Sequence, residues 1–360
     1  MKNRHELQTI VFTVFLLLLQ WIVLAPMALA QTPFYEGKNL LLVSGTDAGG
    51  AGDLRTRAVI PVLKKHIPGH PNIVVQYMPG AGGRKAANYM YTSARPDGLT
   101  VGAMITGMVQ GTIFGEKDVL YDLDKFIYLG SHSRYAPYAF VTRKAAGFNS
   151  RETLTAARGV RISAPSVGHS LYTMARLFAY MLDMKDPRWV TGYTPREVDI
   201  ALERNEIDTR VSILDSLLTR NAHWLDKDLV HVHATIDIPK DFKHPDRRFA
   251  KLPEIESFAR SNQDRRLIQL FRGARDTGQP FVLPPGTPAE HVKILREAMR
   301  RTFADPEYIK GYEKLTSEPA MSLTWEEFET QLRELPREAE TIDLFKRLSG
   351  PAPLPSRASR

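Results

Sequence analysis

Two stretches of the chain carry residue types and spacings suited to holding an anion. Residues 39–44 (NLLLVS) run into 45–53 (GTDAGGAGD) and then LRTRAVIPVLKKHI; residues 73–77 (IVVQY) run into 78–83 (MPGAGG) and then RKAANYMYTSA. An apolar run that ends in glycines and opens a helix leaves backbone N–H groups without intrahelical partners, aimed at the turn. Such a turn attracts anions through its main chain and needs no charged side chain. A third small-residue turn, PSVGHS at 165–170, follows the strand-like VRISA. Thr46, Ser166, His169 and Ser170 add hydroxyl or imidazole groups where these turns could face a cleft. Asp53 reads as a cap, its carboxylate accepting backbone N–H groups at the start of the first helix.

Other chemistries lack a constellation. Neither Gly50-Ala51-Gly52 nor Gly80-Ala81-Gly82 continues as G-x-G-x-x-G, and neither turn supplies a P-loop. No G-x-S-x-G elbow occurs, and Ser166 has no sequence partner for a triad. His231 and His233 alternate on one strand and share a face, the geometry of some metal sites. No third ligand stands nearby, so they read as two histidines on an exposed strand face. The expectation is reversible binding, with no catalytic residue, no cofactor and no metal.

The elements that must position the turns alternate. Strand-like segments at 101–106, 126–131, 138–143, 160–166, 209–214 and 230–236 are interleaved with helix-like ones, which argues for α/β architecture with largely parallel sheets. Ser150 caps one short helix; in LYTMARLFAYMLDM, Leu171, Met174, Leu177, Phe178, Met181 and Leu182 share one helical face and read as core. Toward the C-terminus, Thr287 reads as an N-cap before Pro288, and Thr324 with Glu327 reads as a capping box. The tail GPAPLPSRASR is Pro-rich and basic and reads as disordered.

The N-terminus has the layout of a secretory signal peptide. Lys2 and Arg4 precede an apolar stretch over 10–24, and Ala28-Leu29-Ala30 offers small residues for cleavage after Ala30. About 330 residues then remain, enough for two domains with real cores. Loss of Lys2, Arg4 and Glu6 takes the formal charge from +8 to +7, an excess that can gather anionic ligands. The chain has no cysteine, so disulfides and thiolate chemistry are excluded. The doublets Arg247-Arg248, Arg265-Arg266 and Arg300-Arg301 lack interleaved aromatics, which argues against nucleic acid as a partner.

The ordered motifs resemble a known family. An exported chain has a G-G-x-x-D turn (Gly49-Gly50-Ala51-Gly52-Asp53) and then Arg57 on the helix that follows. Next come V-V-x-x-x-P-G-A-G-G at 74–83, A-x-x-x-x-x-x-A-x-P-D-G-x-T at 87–100 and P-P-G-T-P at 284–288. Together these are similar to the substrate-binding receptors of tripartite tricarboxylate transporters, the Bug family, from Phe34 to about Leu348. The resemblance implies a type II periplasmic-binding-protein fold: two α/β lobes with mixed, mainly parallel sheets, joined by crossover strands. It places the first lobe at 31–135 and 230–350, the second at 136–229, and leaves 351–360 as tail. It further implies a carboxylate held mainly by main-chain groups and waters from one turn per lobe. Gly49, Gly50 and Ala51, with Ser166, Gly168 and Ser170, are then the candidate contacts, and Thr46 and His169 stand beside them.

The implied partners are a small organic anion and membrane permease subunits, with a monomeric periplasmic receptor between them. A ligand sensor docking onto a signalling receptor without transport is the alternative. One departure bears on specificity: Asp47 puts an acid in the first turn, where the family offers apolar, proline or glycine residues. It could repel a carboxylate, bind water, or signal a cationic or amide-bearing ligand.

Overall fold

Apolar runs punctuated by glycine and proline become strands, and the amphipathic segments between them become the helices that cover the sheets. The structure is a computed structural model describing residues 32–49, 51–132, 137–167, 169–237, 246–277, 279–316 and 319–357; the expected leader, 1–30, lies outside them. The strands are β1 (Asn39–Ser44), β2 (Asn72–Tyr77), β3 (Thr100–Ala103), β4 (Ile127–Ser131) and β5 (Tyr138–Arg143), then β6 (Arg161–Ser163), β7 (Arg188–Val190), β8 (Thr209–Ile213), β9 (Val230–Ile236) and β10 (Pro280–Leu283). The first eight helices are α1 (Ala51–His66), α2 (Arg84–Thr92), α3 (Gly107–Ile113), α4 (Arg151–Ala156), α5 (Ser170–Met181), α6 (Pro195–Glu203), α7 (Leu214–Leu218) and α8 (Ala222–Asp226). The C-terminal part adds α9 (Asn262–Asp276), α10 (Ala289–Ala304), α11 (Pro306–Thr316), α12 (Trp325–Arg333) and α13 (Ala339–Ser349).

Two five-stranded sheets form, in the orders β2-β1-β3-β10-β4 and β7-β6-β8-β5-β9. In the first, β1 runs parallel to β2 and β3, while β10 is antiparallel to both of its neighbours. In the second, β6 runs parallel to β7 and β8, while β5 is antiparallel to both of its neighbours. Each sheet therefore has four strands in one direction and one reversed. The reversed strand is in both cases the one that arrives from the other sheet: β5 follows β4, and β10 follows β9. The chain crosses between the sheets twice, as expected for a two-lobed α/β fold with crossover strands.

Three apolar clusters hold this frame. One packs β1 and its neighbours against α1, α10 and α11 through Leu40, Val59, Val62, Met299 and Tyr308. A second places Ala139, Val141, Val198, Leu202 and Trp224 between β5 and the helices α6–α8. The third and largest runs from Met90 and Met108 through Phe178 and Phe271 to Phe345, joining elements of both sheets. The residues Met174, Leu177, Phe178, Met181 and Leu182 are buried there as core. Capping boxes start α4 at Ser150 and α12 at Thr324, as read from the sequence, and also α6 at Thr194 and α9 at Ser261.

Several expectations need correction. The first lobe was expected to resume at residue 230, but β9 pairs with β5 from Tyr138↔Ile236 to Arg143↔Val230, so the return comes after Ile236. Thr287 does not cap α10; its hydroxyl donates to Pro284 O at 2.9 Å, and Pro288 holds the N-cap position. His233 is buried, not exposed, because a register shift in the β5–β9 ladder leaves it unpaired between Val232 and Ala234. Its ring lies 4.6 Å from that of His231, and no group of three metal-ligating side chains occurs among the described residues. Residues 351–357 of the tail are ordered against α5 and α9. Arg357 donates to Met181 O at 2.7 Å and pairs with Asp264 at 2.6 Å.

Candidate functional site

The carboxyl ends of β1, β2 and β3 lie side by side and each opens into a glycine-containing turn. In open α/β sheets this is the edge where ligands are received. After β1, Ser44 is buried and its Oγ lies 2.9 Å from Thr46 Oγ1, which pins the first residues of the turn. The turn closes through Asp53, whose carboxylate accepts the Gly49 N–H at 2.7 Å, the Tyr77 hydroxyl at 2.8 Å and Arg57 Nε at 2.8 Å. Burial pushes the Asp53 pKa up, but these three donors together hold it below the usual carboxylate value. Asp53 is thus a structural acid. It takes an N–H from the turn preceding α1 and ties that turn to the end of β2.

This arrangement changes the role of Gly49. Its N–H is already bonded to Asp53, so it contributes a positive φ of 77° and not a donor for a ligand. Gly50 lies outside the described residues, and Ala51 is the first residue of α1. Gly52 is needed sterically: a Cβ there would stand 2.5 Å from Thr46 Cγ2.

The second and third turns interlock. Gly80, Ala81, Gly82 and Gly83 all have positive φ, which lets the chain fold back before α2. Gly107, at the start of α3, approaches so closely that a Cβ on it would lie 1.9 Å from Gly82 O. These two backbones meet with no room for a side chain on Gly107. The third turn was hidden by the expectation of a strand over 101–106, since β3 ends at Ala103.

The three turns line one cavity of about 460 Å³. Thr46 and Gly52 come from the first, Gly82 and Arg84 from the second, and Thr106, Gly107 and Gln110 from the third; Glu116 and Gln279 complete its rim. Gln279 lies immediately before β10, and its carbonyl accepts the Ser131 hydroxyl at 2.9 Å. The cavity therefore opens beside the crossovers between the sheets. Of the predicted contacts, Thr46 reaches this cavity. Gly82, Thr106, Gly107 and Gln279 were missed, although MPGAGG had been read as an anion-attracting turn.

The second-lobe turn is built differently. Gly192 N–H donates to Pro165 O at 2.9 Å and His169 N–H donates to Ser166 O at 3.1 Å. His169 is the N-cap of α5, with Nδ1 accepting the Leu171 N–H at 3.1 Å. With Nδ1 as acceptor, the neutral ring carries its proton on Nε2. Burial lowers its pKa and the positive charge of Arg275 lowers it further. Arg275 itself donates to the Tyr138 hydroxyl and lies over the Tyr138 ring at 5.5 Å. Ser166 is exposed and Ser170 half-buried at the start of α5; Gly168 lies outside the described residues. Ser166, His169 and Ser170 are not among the residues that line the 460 Å³ cavity.

No family model and no curated protein matches the sequence. Solved structures do match in fold. A TctC solute-binding protein from Polaromonas is 18% identical, with 87% of this chain and 98% of that chain covered and a TM-score of 0.62. MatC from Rhodopseudomonas palustris, with bound malate, is 16% identical over 87% of this chain and 99% of that one, at a TM-score of 0.51. A second R. palustris protein, with adipate, is 16% identical over 86% and 98%, at a TM-score of 0.53. At these identities the likeness is one of fold: the chain has the two-lobed architecture of periplasmic binding proteins along nearly the whole length of those structures.

Proposed function

We propose that the protein is a periplasmic solute-binding receptor that captures a small organic anion, a carboxylate, for the membrane subunits of a tripartite tricarboxylate-type transporter. The observation that carries this reading is the single cavity at the carboxyl ends of three adjacent strands, walled by three glycine-containing turns and placed beside the crossovers. Main-chain N–H groups at the start of α1 offer an anion hydrogen bonds without a fixed counter-charge, while at α2 the Gly83 and Arg84 N–H groups are taken by Gly80 O and Ala81 O. A volume of about 460 Å³ suits a small organic molecule. The malate and adipate held by two proteins of the same fold are dicarboxylates, which supports the ligand class. His169 and Arg275 belong to the opposite sheet and the crossover region. Closure of the lobes over the ligand would bring them toward the cavity, and differential affinity for the closed form would drive the shift.

Binding is reversible in this reading, without chemistry on the ligand. The test is a thermal-shift screen of the chain from Gln31 against mono-, di- and tricarboxylates, amino acids and amides. A ligand at 100 times its Kd adds about 2.7 kcal/mol to stability. Stabilisation by at least one carboxylate, recovered unchanged after incubation, is the expected result. A screen in which no carboxylate stabilises the protein, or in which the ligand is consumed, sinks the proposal.

A further inference from the structure

One wall of the cavity carries charges that main-chain anion capture does not need. Arg84, the first residue of α2, passes over Gly111, where a Cβ would stand 2.5 Å from Arg84 Cδ. Its guanidinium is fixed at two points. Nε reaches both oxygens of Asp118 at 3.0 and 3.1 Å, and Nη2 reaches Glu116 at 2.7 Å. Nη1 lies 3.5 Å from the place a Gly82 Cβ would fill, beside the second glycine turn. Arg84 and Glu116 line the cavity, and Asp118, which is not among its lining residues, pairs with Arg84; among the described lining residues no other side chain is charged.

One guanidinium against two carboxylates leaves this wall with a formal charge of −1. The exposed Asp47, next to Thr46, adds a second excess negative charge at the first turn. The exposed Lys85, whose Cδ lies 3.6 Å from the place a Gly80 Cβ would fill, balances Asp47 from the second turn and leaves the excess at Glu116 and Asp118. A second ligand carboxylate near Arg84 would be the third anion around one cation, approaching through a cavity already lined by Glu116. A nitrogen donor meets the opposite situation. An ammonium would bring the Arg84–Glu116–Asp118 group to neutrality. A carboxamide could donate to Glu116 while its carbonyl accepts from Arg84 Nη1.

Resting on the carboxylate-receptor reading above, we infer that the ligand is bipolar. One end is a carboxylate seated on the glycine turns, and the other is an ammonium or carboxamide nitrogen received by Glu116. Arg84 positions Glu116 and supplies one donor, and the pair sets specificity against dicarboxylates.

Isothermal titration of the chain from Gln31 with length-matched probes tests this: succinate, succinamate and 4-aminobutanoate, then glutarate, glutaramate and 5-aminopentanoate. In at least one length series a nitrogen-ended probe is expected to bind about tenfold more tightly than its dicarboxylate. Glu116→Gln should weaken the amino acid, strengthen the dicarboxylate and so collapse that ratio. Asp118→Asn, which changes charge on Arg84's other partner, should strengthen the dicarboxylate in the same sense. Both side chains are more than a third exposed, so neither substitution removes core. Dicarboxylates binding as tightly as the nitrogen-ended probes, or a ratio unmoved by Glu116→Gln, overturns the bipolar assignment and leaves the receptor reading standing. Failure of every carboxylate in this series and in the thermal screen overturns the receptor reading itself.

Discussion

Replacing Arg176 by methionine should cost the protein roughly 3 kcal/mol, because this residue fastens the C-terminal segment to the second lobe. Arg176 is fully buried in α5. Its Nε donates to Leu348 O at 2.7 Å and its Nη2 to Ala352 O at 2.7 Å, with longer contacts of 3.3 Å to Arg347 O and Pro353 O. The guanidinium also lies 5.0 Å from the Trp189 ring centroid. Each hydrogen bond involving a charged group contributes ~1.5–3 kcal/mol, so the two short ones give ~3–6 kcal/mol. Methionine fills much of the volume and recovers the cost of burying a charge, which offsets part of that loss. The offset is incomplete because the acceptors are main-chain carbonyls. They stay behind without their donor, unlike the partners of an ion pair replaced as a unit. Urea unfolding of the wild type, the methionine variant, a chain ending at Gly350 and the combination gives a double-mutant cycle. Truncation removes the Ala352 and Pro353 carbonyls, so the two changes should be coupled by ~1 kcal/mol or more. A loss under ~1 kcal/mol for Arg176→Met, or strict additivity with truncation, would refute the reasoning.

Gly107→Ala places a Cβ 1.9 Å from Gly82 O, so the second and third turns must separate; ~2–3 kcal/mol of stability and all ligand-induced thermal shift should be lost. Gly49→Ala is its control, since nothing lies within 4 Å of that Cβ and the positive φ alone costs ~1 kcal/mol. Asp53 has a folded-state pKa below its unfolded value, so its stabilisation is complete above about pH 4 and is lost as pH falls through the folded value. Asp53→Asn should therefore lower stability at pH 7 by ~2 kcal/mol and flatten the acid limb of the unfolding profile. His132 acts in the same direction but begins at higher pH, because it is a base whose pKa is pushed down to about 3, by burial first and then by the charge of Arg55. The unfolded chain takes up this proton near pH 6.5, so stability falls from there down to about pH 3. His132→Phe, among Phe281 and Tyr312, should shrink the stability difference between pH 7 and pH 5 by ~2 kcal/mol.

The fold was legible wherever local pattern and tertiary packing agree. The strands beginning at Asn39, Tyr138 and Thr209 and the capped helices at Ser150 and Thr324 are short-range features, and their residues announce them. The errors came where a distant contact decides. Residues 230–236 alternate like any half-buried strand, and nothing local says which sheet they join; the partner is β5, some ninety residues earlier. The tail is Pro-rich and reads as disordered, yet it is held by Arg176, a lone basic residue in an apolar helix. Such a residue, with a helix end and a proline segment to satisfy, was a signal that could have been used. Asp53 was read correctly as a structural acid, but the N–H that it takes belongs to Gly49 and not to the helix, and this removes a predicted ligand donor.

The site divides in a way that explains why its ligand class was more legible than its specificity. The proposed anion-holding part is backbone: turns after β1, β2 and β3, shaped by glycines whose necessity is visible in the chain because Gly52, Gly82 and Gly107 leave no room for alternatives or adopt positive φ. Backbone N–H groups recognise a carboxylate without asking what carries it. Discrimination has to come from side chains, and the proposed ones are Arg84 from one turn and Glu116 and Asp118 from the segment after α3, about thirty residues apart. Each is an unremarkable surface charge when read in sequence. Only their convergence across Gly111 turns an arginine in an anion receptor into the centre of an acidic wall. A basic residue beside an anion site is therefore weak support for a polyanionic ligand until its own partners are counted. At Arg84 the count is two carboxylates to one guanidinium, and it points the variable end of the ligand toward nitrogen.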